Sequence, residues 1–209
     1  MKKFYFLLIV GFFCSVVSFG QNADGAKKIL DAVSAKIKSS PGVSANFTMT
    51  TKARTGKLKN TAKGSIALKG SKYYIKQGDA EIFSDGKKIW NFNGSNEVTV
   101  TDGNADNNSL SPEKIFSGQY DIDYTYKIVS TKGTYNQVQL IPIDKRKQFQ
   151  RITLYVDKNK SLITQAMVLD KSNNTIIFSL SGIDVNSRIS DETFVFNRSK
   201  YKGNIEVIE

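Results

Sequence analysis

The chain has 209 residues, a formal net charge of +11, one cysteine and no histidine. Cys14 lies in an apolar N-terminal run, so the remainder holds no disulfide, no thiolate or imidazole metal site, and no cysteine- or histidine-based catalytic triad. The lysines are spread along the chain, so the basic excess reads as a solvated surface rather than a nucleic-acid footprint.

Residues 1–20 read as a cleavable secretion signal. Lys2 and Lys3 supply a basic start, Phe4 to Val17 is nearly unbroken apolar sequence, and Ser18-Phe19-Gly20 places small residues three and one positions before Gln21. The apolar run is too short for a comfortable membrane span. Phe13 stands where a lipoprotein processing site needs a small residue, so Cys14 is expected to leave with the signal and not to carry lipid. The expected product is a single domain over 21–209, delivered to the periplasm, with a net charge reduced from +11 to +9 by loss of the two lysines.

From Asp24 to Ser39, Ile29, Leu30, Val33 and Ile37 recur at helical spacing, with Asp24 as N-cap and Pro41-Gly42 as the stop. After Gly42 the period becomes two. Val43, Ala45, Phe47 and Met49 alternate with polar residues, and similar short runs follow through Ile66 and Leu68, Tyr73 and Ile75, Ile82, Trp90 and Phe92, and Val98 and Val100. Tyr124 to Ile128, Val138 and Leu140, Ile152 to Val156, Met167 and Leu169, Ile176 to Leu180, and Phe194 with Phe196 continue the pattern. Turn chemistry at Asp85-Gly86, Lys132-Gly133, Asp157-Lys158-Asn159 and Ser172-Asn173-Asn174 separates the runs. About ten or eleven antiparallel strands with one apolar face predict a single curved sheet or barrel.

Between Val100 and Tyr124 a polar loop leads into Ser111-Pro112-Glu113, which reads as an N-cap, a first-turn proline and an acid near the positive helix end. Leu110, Ile115 and Phe116 give this short helix an apolar side suited to capping the barrel mouth. Asp102, Asn104, Asp106, Asn108 and Glu113 fall at EF-hand positions, but Asn107 stands where a calcium loop needs glycine and a strand precedes it. A polar loop is the simpler reading. Asp121, Asp123, Asp184 and Glu192 are candidate acid–base carboxylates, yet nothing in their spacing makes two converge, and no enzyme is expected.

The order of helix, strand with Phe47, Gly64 to Lys69, Tyr73-Tyr74, Ser84-Asp85-Gly86-Lys87-Lys88-Ile89-Trp90, helix at Ser111-Pro112 and closing hairpins resembles the LolA family of periplasmic lipoprotein carriers. The most specific part is Asp85 to Trp90. The resemblance implies an α+β fold, mainly β with helices: an open, strongly curved antiparallel half-barrel under a helical lid, with no cofactor. It also implies a cavity for acyl chains, lined by Phe47, Met49, Ile66, Leu68, Tyr73, Ile75, Trp90, Phe92, Leu154, Met167 and Phe178, under a lid of Leu110, Ile115 and Phe116. The implied partners are acylated lipoproteins, an inner-membrane lipoprotein-releasing transporter and an outer-membrane acceptor, with the carrier acting as a monomer. Another lipid or glycolipid binder, or an envelope-stress sensor, would suit the same cavity. The family's best-known members carry an Arg-Pro pair before the third strand, where the arginine helps hold the lid. Here the stretch is Lys69-Gly70-Ser71-Lys72, and lysine lacks the planar guanidinium fork.

Overall fold

The structure, a computed structural model, describes residues 18–103, 115–116, 120 and 123–209. The first element is α1 (Ser18–Lys38). It begins six residues before the expected cap at Asp24, since no proline interrupts Ser18 to Ala23 and the one glycine, Gly20, costs only about 1 kcal/mol in a helix. The strands are β1 (Val43–Lys52), β2 (Leu58–Lys69), β3 (Lys72–Gln77), β4 (Ala80–Ser84), β5 (Lys88–Phe92) and β6 (Glu97–Asp102). There follow β7 (Tyr124–Ser130), β8 (Tyr135–Pro142), β9 (Phe149–Asp157), β10 (Leu162–Asp170), β11 (Thr175–Asp184) and β12 (Glu206–Ile208). Among the described residues they form one sheet in the order β12-β6-β5-β4-β3-β2-β1-β11-β10-β9-β8-β7. Every pairing is antiparallel except β12 on β6.

This order places β6 and β7, neighbours in sequence, near opposite ends of the sheet. The connection between them runs from Gly103 to Asp123. Its described residues Ile115, Phe116 and Tyr120 are buried in the same core as Leu30 and Val33 of α1. The amphipathic stripe read from Ile29, Leu30, Val33 and Ile37 is the face that packs there.

The face of the sheet that carries α1, called here the inner face, follows from register. Phe47 opposes Leu180 and Gly64, and Met49 opposes Phe178 and Ala62. Through β10 and β9 the same face continues as Ala166 and Leu154, then as Val138 on β8. In the other direction it runs through Ile66, Ile75 and Ile82 and then meets Asn91 and Thr99. The inner face thus turns polar over β5 and β6. Apart from Ile89, the apolar residues of β5 and β6, Trp90, Phe92, Val98 and Val100, lie on the outer face together with Phe83 of β4.

That outer patch is covered by the C-terminal segment. It leaves β11, makes a 3-10 turn at Asp191–Phe194, another at Arg198–Lys200, and returns as β12. Phe196 and Tyr201 stack at 5.1 Å, and both rings lie within 6 Å of Phe92. Phe194 is fully buried. The expected strand through Phe194 and Phe196 is not formed. Ser190 instead accepts the Glu192 amide and caps the 3-10 turn, and β12 takes the place of that strand at the sheet edge.

Gly64 is required by packing. A Cβ there would lie 2.1 Å from the Lys76 carbonyl oxygen and 2.5 Å from Phe47 Cζ, whose ring covers the position. Gly64→Ala should therefore destabilise the fold by about 1–3 kcal/mol, as overpacking does elsewhere. A denaturant melt would check it, and an unchanged midpoint would show that the Lys76 backbone and the Phe47 ring both give way freely.

Candidate functional site

A pocket opens on the inner face where α1, β1, β2, β10 and β11 meet the segment between β6 and β7. Ile37 at the end of α1, Val43 and Ala45 on β1, and Ile66 and Leu68 on β2 form one side. Leu162, Ile163, Leu180 and Ile183 form the other, and Phe116 closes it. An irregularity in the β9–β10 register between Ile163 and Gln165 lets the adjacent Leu162 and Ile163 both reach the pocket. All ten lining side chains are apolar. The depression measures about 340 Å³ out to open solvent, but the enclosed part is about 20 Å³, room for one water molecule. The pocket is closed down over its own wall.

The sequence-derived cavity set divides four ways. Ile66 and Leu68 line the pocket, with Phe116 of the expected lid. Phe47, Met49, Tyr73 and Ile75 lie on the same face in the adjoining apolar cluster. Leu154 and Phe178 lie under α1 in the main core. Trp90, Phe92 and Met167 point to the outer face: Trp90 and Phe92 pack under the C-terminal segment, and Met167 opposes Thr153 and Ile177. Alternation defines two faces of a strand without saying which one a distant segment will cover, and for β5 that segment is the tail. Of the expected lid, Ile115 and Phe116 are helical and buried, and Leu110 lies outside the described residues. Val43 and Ala45, in phase with Phe47, and Ile37, last in the helical stripe, carried the signal that would have placed them at the pocket.

Lys69 and Lys72 face the tail. Lys69 donates to the Ile189 carbonyl at 3.0 Å and to Asp191 Oδ1 at 2.8 Å, and Lys72 pairs with Asp191 Oδ2 at 2.9 Å. Hydrogen bonds from Lys69 and Lys72 pull the Asp191 carboxyl down to about 2. A depressed folded-state pKa stabilises above the unfolded value near 4, and that stabilisation is lost as pH falls towards 2. Asp191→Asn should accordingly lose less thermal stability than the parent between pH 4 and pH 2 in a melting series. Equal losses would show that the pair contributes nothing.

Asp123 pairs with the buried Lys147 at 3.7 Å, Asp184 is held by Asn186 and Ser187, and Glu192 lies in the 3-10 turn of the tail. These carboxylates sit on separate segments of the chain. Asp121 and the calcium-loop positions Asn104, Asp106, Asn108 and Glu113 lie outside the described residues, while Asp102 ends β6. Among the described residues no cluster of three or more acids could hold a metal ion, and no helix is long and apolar enough to cross a membrane.

The family model of the outer membrane lipoprotein carrier protein LolA matches residues 38–197, most of the chain. The protein belongs to the LolA family. Its fold is the family's α+β open half-barrel, a carrier fold that binds lipids or lipoproteins in exported proteins. Several solved structures are similar to it at low identity. An uncharacterized conserved protein from Thermus thermophilus is 12% identical, with 88% of this chain and 98% of that chain covered and a TM-score of 0.55. A DUF1329 family protein from Desulfovibrio piger is 15% identical, covering 87% and 99%, at 0.50. A LolA superfamily protein from Nitrosomonas europaea is 13% identical, covering 82% and 97%, at 0.48. No curated protein matches the chain.

Proposed function

We propose that this LolA-family protein carries acylated lipoproteins through the periplasm, holding their acyl chains in the pocket beneath Phe116. On this reading residues 1–20 direct export and are removed, an inner-membrane transporter loads the carrier, and an outer-membrane acceptor unloads it. The observation that carries the proposal is the pocket itself: ten apolar side chains and no polar one, with Phe116 among them.

Magnitudes support a pocket that opens. Exposing Ile115 and Phe116 costs about 1.5–3 kcal/mol each, and about ten acyl methylenes at ~0.8 kcal/mol each offset that. Apolar contact is non-directional, so chains of different length are accepted and can be given up to a better apolar site. No covalent step is required.

Two measurements test this together. The protein purified from its native envelope is subjected to mass spectrometry for bound acylated species, and inner-membrane vesicles bearing the transporter are assayed for lipoprotein release. Acylated protein in both assays is the expected result. Recovery of a lipid or glycolipid without protein, and no release from vesicles, would replace the lipoprotein reading with a lipid-carrier one.

A further inference from the structure

The lysines are spread over the sequence, yet among the described residues the β1–β2 hairpin gathers several cations that form no salt bridge. Residues 52–63 carry Lys52, Arg54, Lys57, Lys59 and Lys63 and no acid. They form the end of the β1–β2 hairpin. Its tip is closed by hydrogen bonds from Ala53 N to Lys57 O and from Gly56 N to Ala53 O, both 2.8 Å, with Gly56 at φ +82°. β2 begins at Leu58 but pairs with β3 only from Ser65 onward, so seven residues of its outer edge project beyond the β3–β4 hairpin.

All five cations of this arm are exposed, and among the described residues none is in a salt bridge, whereas Lys27, Lys69, Lys72, Lys76 and Lys147 are. Lys59 acts on Asp170, whose oxygens are already bonded to Asn174. At the tip Leu58 is 57% exposed between Lys57 and Lys59. An exposed strand edge calls for lysines as guards against edge pairing. It does not call for Lys52 and Arg54 around the turn, nor for a bare leucine among the charges.

We propose that this arm docks the protein on the anionic phospholipid surface of a bilayer, its cations at the headgroups and Leu58 at the acyl boundary. A basic, apolar-tipped protrusion matches such a surface in charge and in polarity profile. The proposal is independent of what fills the pocket, because the surface lipids are bound by the arm and not by the cavity.

Flotation of the purified protein with phosphatidylcholine vesicles, with and without about 30% phosphatidylglycerol, tests it. The protein should float with the anionic vesicles, and release should occur as salt rises from about 50 mM to about 0.5 M. Lys52→Gln/Arg54→Gln/Lys57→Gln should weaken partitioning about fivefold per charge, roughly a hundredfold in total. The same number of charges removed elsewhere, Lys132→Gln/Lys160→Gln/Lys202→Gln, should weaken it far less. Leu58→Ser should cost about fivefold and leave the salt dependence unchanged. Equal losses in the two triple variants would overturn the proposal in favour of overall charge. So would failure to bind anionic vesicles, or aggregation of the arm variant without any change in partitioning, which would make the lysines edge guards. Should the triple variant not fold, an unaltered partition for Leu58→Ser would overturn the proposal by itself.

Discussion

Phe116→Ala should raise the affinity for an apolar dye about tenfold or more while lowering Tm by roughly 6–20 °C. Phe116 is 4% exposed and touches two environments, the core shared by α1 and the strands from β7 to β11, and the rim of the pocket. Truncating a buried phenylalanine costs about 3–5 kcal/mol, and each kcal/mol shifts Tm by about 2–4 °C in a chain of this size. Ligand entry competes with the closed arrangement, so weakening that arrangement increases apparent affinity. A tenfold gain needs only about 1.4 kcal/mol, less than half the expected loss. Titration with N-phenyl-1-naphthylamine alongside a thermal melt measures both effects. A fall in affinity together with the fall in Tm would show that Phe116 is a wall contacting the ligand and not a plug excluding it.

Glu81→Ala should cost about 3 kcal/mol and loosen the C-terminal segment before the rest of the sheet. Glu81 is 7% exposed on β4 and accepts hydrogen bonds from Tyr74 Oη and Lys76 Nζ, both at 2.7 Å, and from Tyr201 Oη of the tail. Burial alone would raise its pKa, but the hydrogen bonds from Lys76, Tyr201 and Tyr74 outweigh it and hold the carboxyl below its ordinary range. Burial, together with this carboxylate, pushes the Tyr74 and Tyr201 hydroxyls up. Hydrogen bonds to a charged acceptor contribute about 1.5–3 kcal/mol each, and loss of Glu81 strands two phenols. Lys76 is half exposed and regains water, so Lys76→Ala should cost less than about 1 kcal/mol. Because the folded carboxyl is depressed, its stabilisation is present above the unfolded value near 4.3 and fades as pH falls below it. Hydrogen exchange should show amides of residues 196–208 losing protection in Glu81→Ala more than those of β8 and β9. Uniform loss would mean that Glu81 supports the whole sheet and not the tail.

Much of the architecture was legible in local pattern. The turns at Asp85-Gly86, Lys132-Gly133, Asp157 to Asn159 and Ser172 to Asn174 all lie between strands, and Gly86, Gly133 and Asn173 take the positive φ such turns require. The apolar stripe of α1 and the alternation in β1 both mark the buried face. Glu81 was not legible as a buried group, since its partners lie five, seven and 120 residues away and the tail that covers it has no periodic signal. The pocket was legible in part, through Ile66, Leu68 and Phe116, because those residues share a face that runs continuously across β1 and β2.

The division follows from range. Sequence by itself determined the strand and helix types, the turns, the absence of histidine and cysteine chemistry after Cys14, and the two-faced character of every strand. Only the tertiary structure decided which face each strand buries. β1 to β3 bury the inner face and β5 and β6 bury the outer one, because the inner side is covered by α1 with Ile115, Phe116 and Tyr120 while the outer side is covered by the C-terminal tail. Those coverings are made by residues far apart in the chain, and a period of two is the same whichever side is dry.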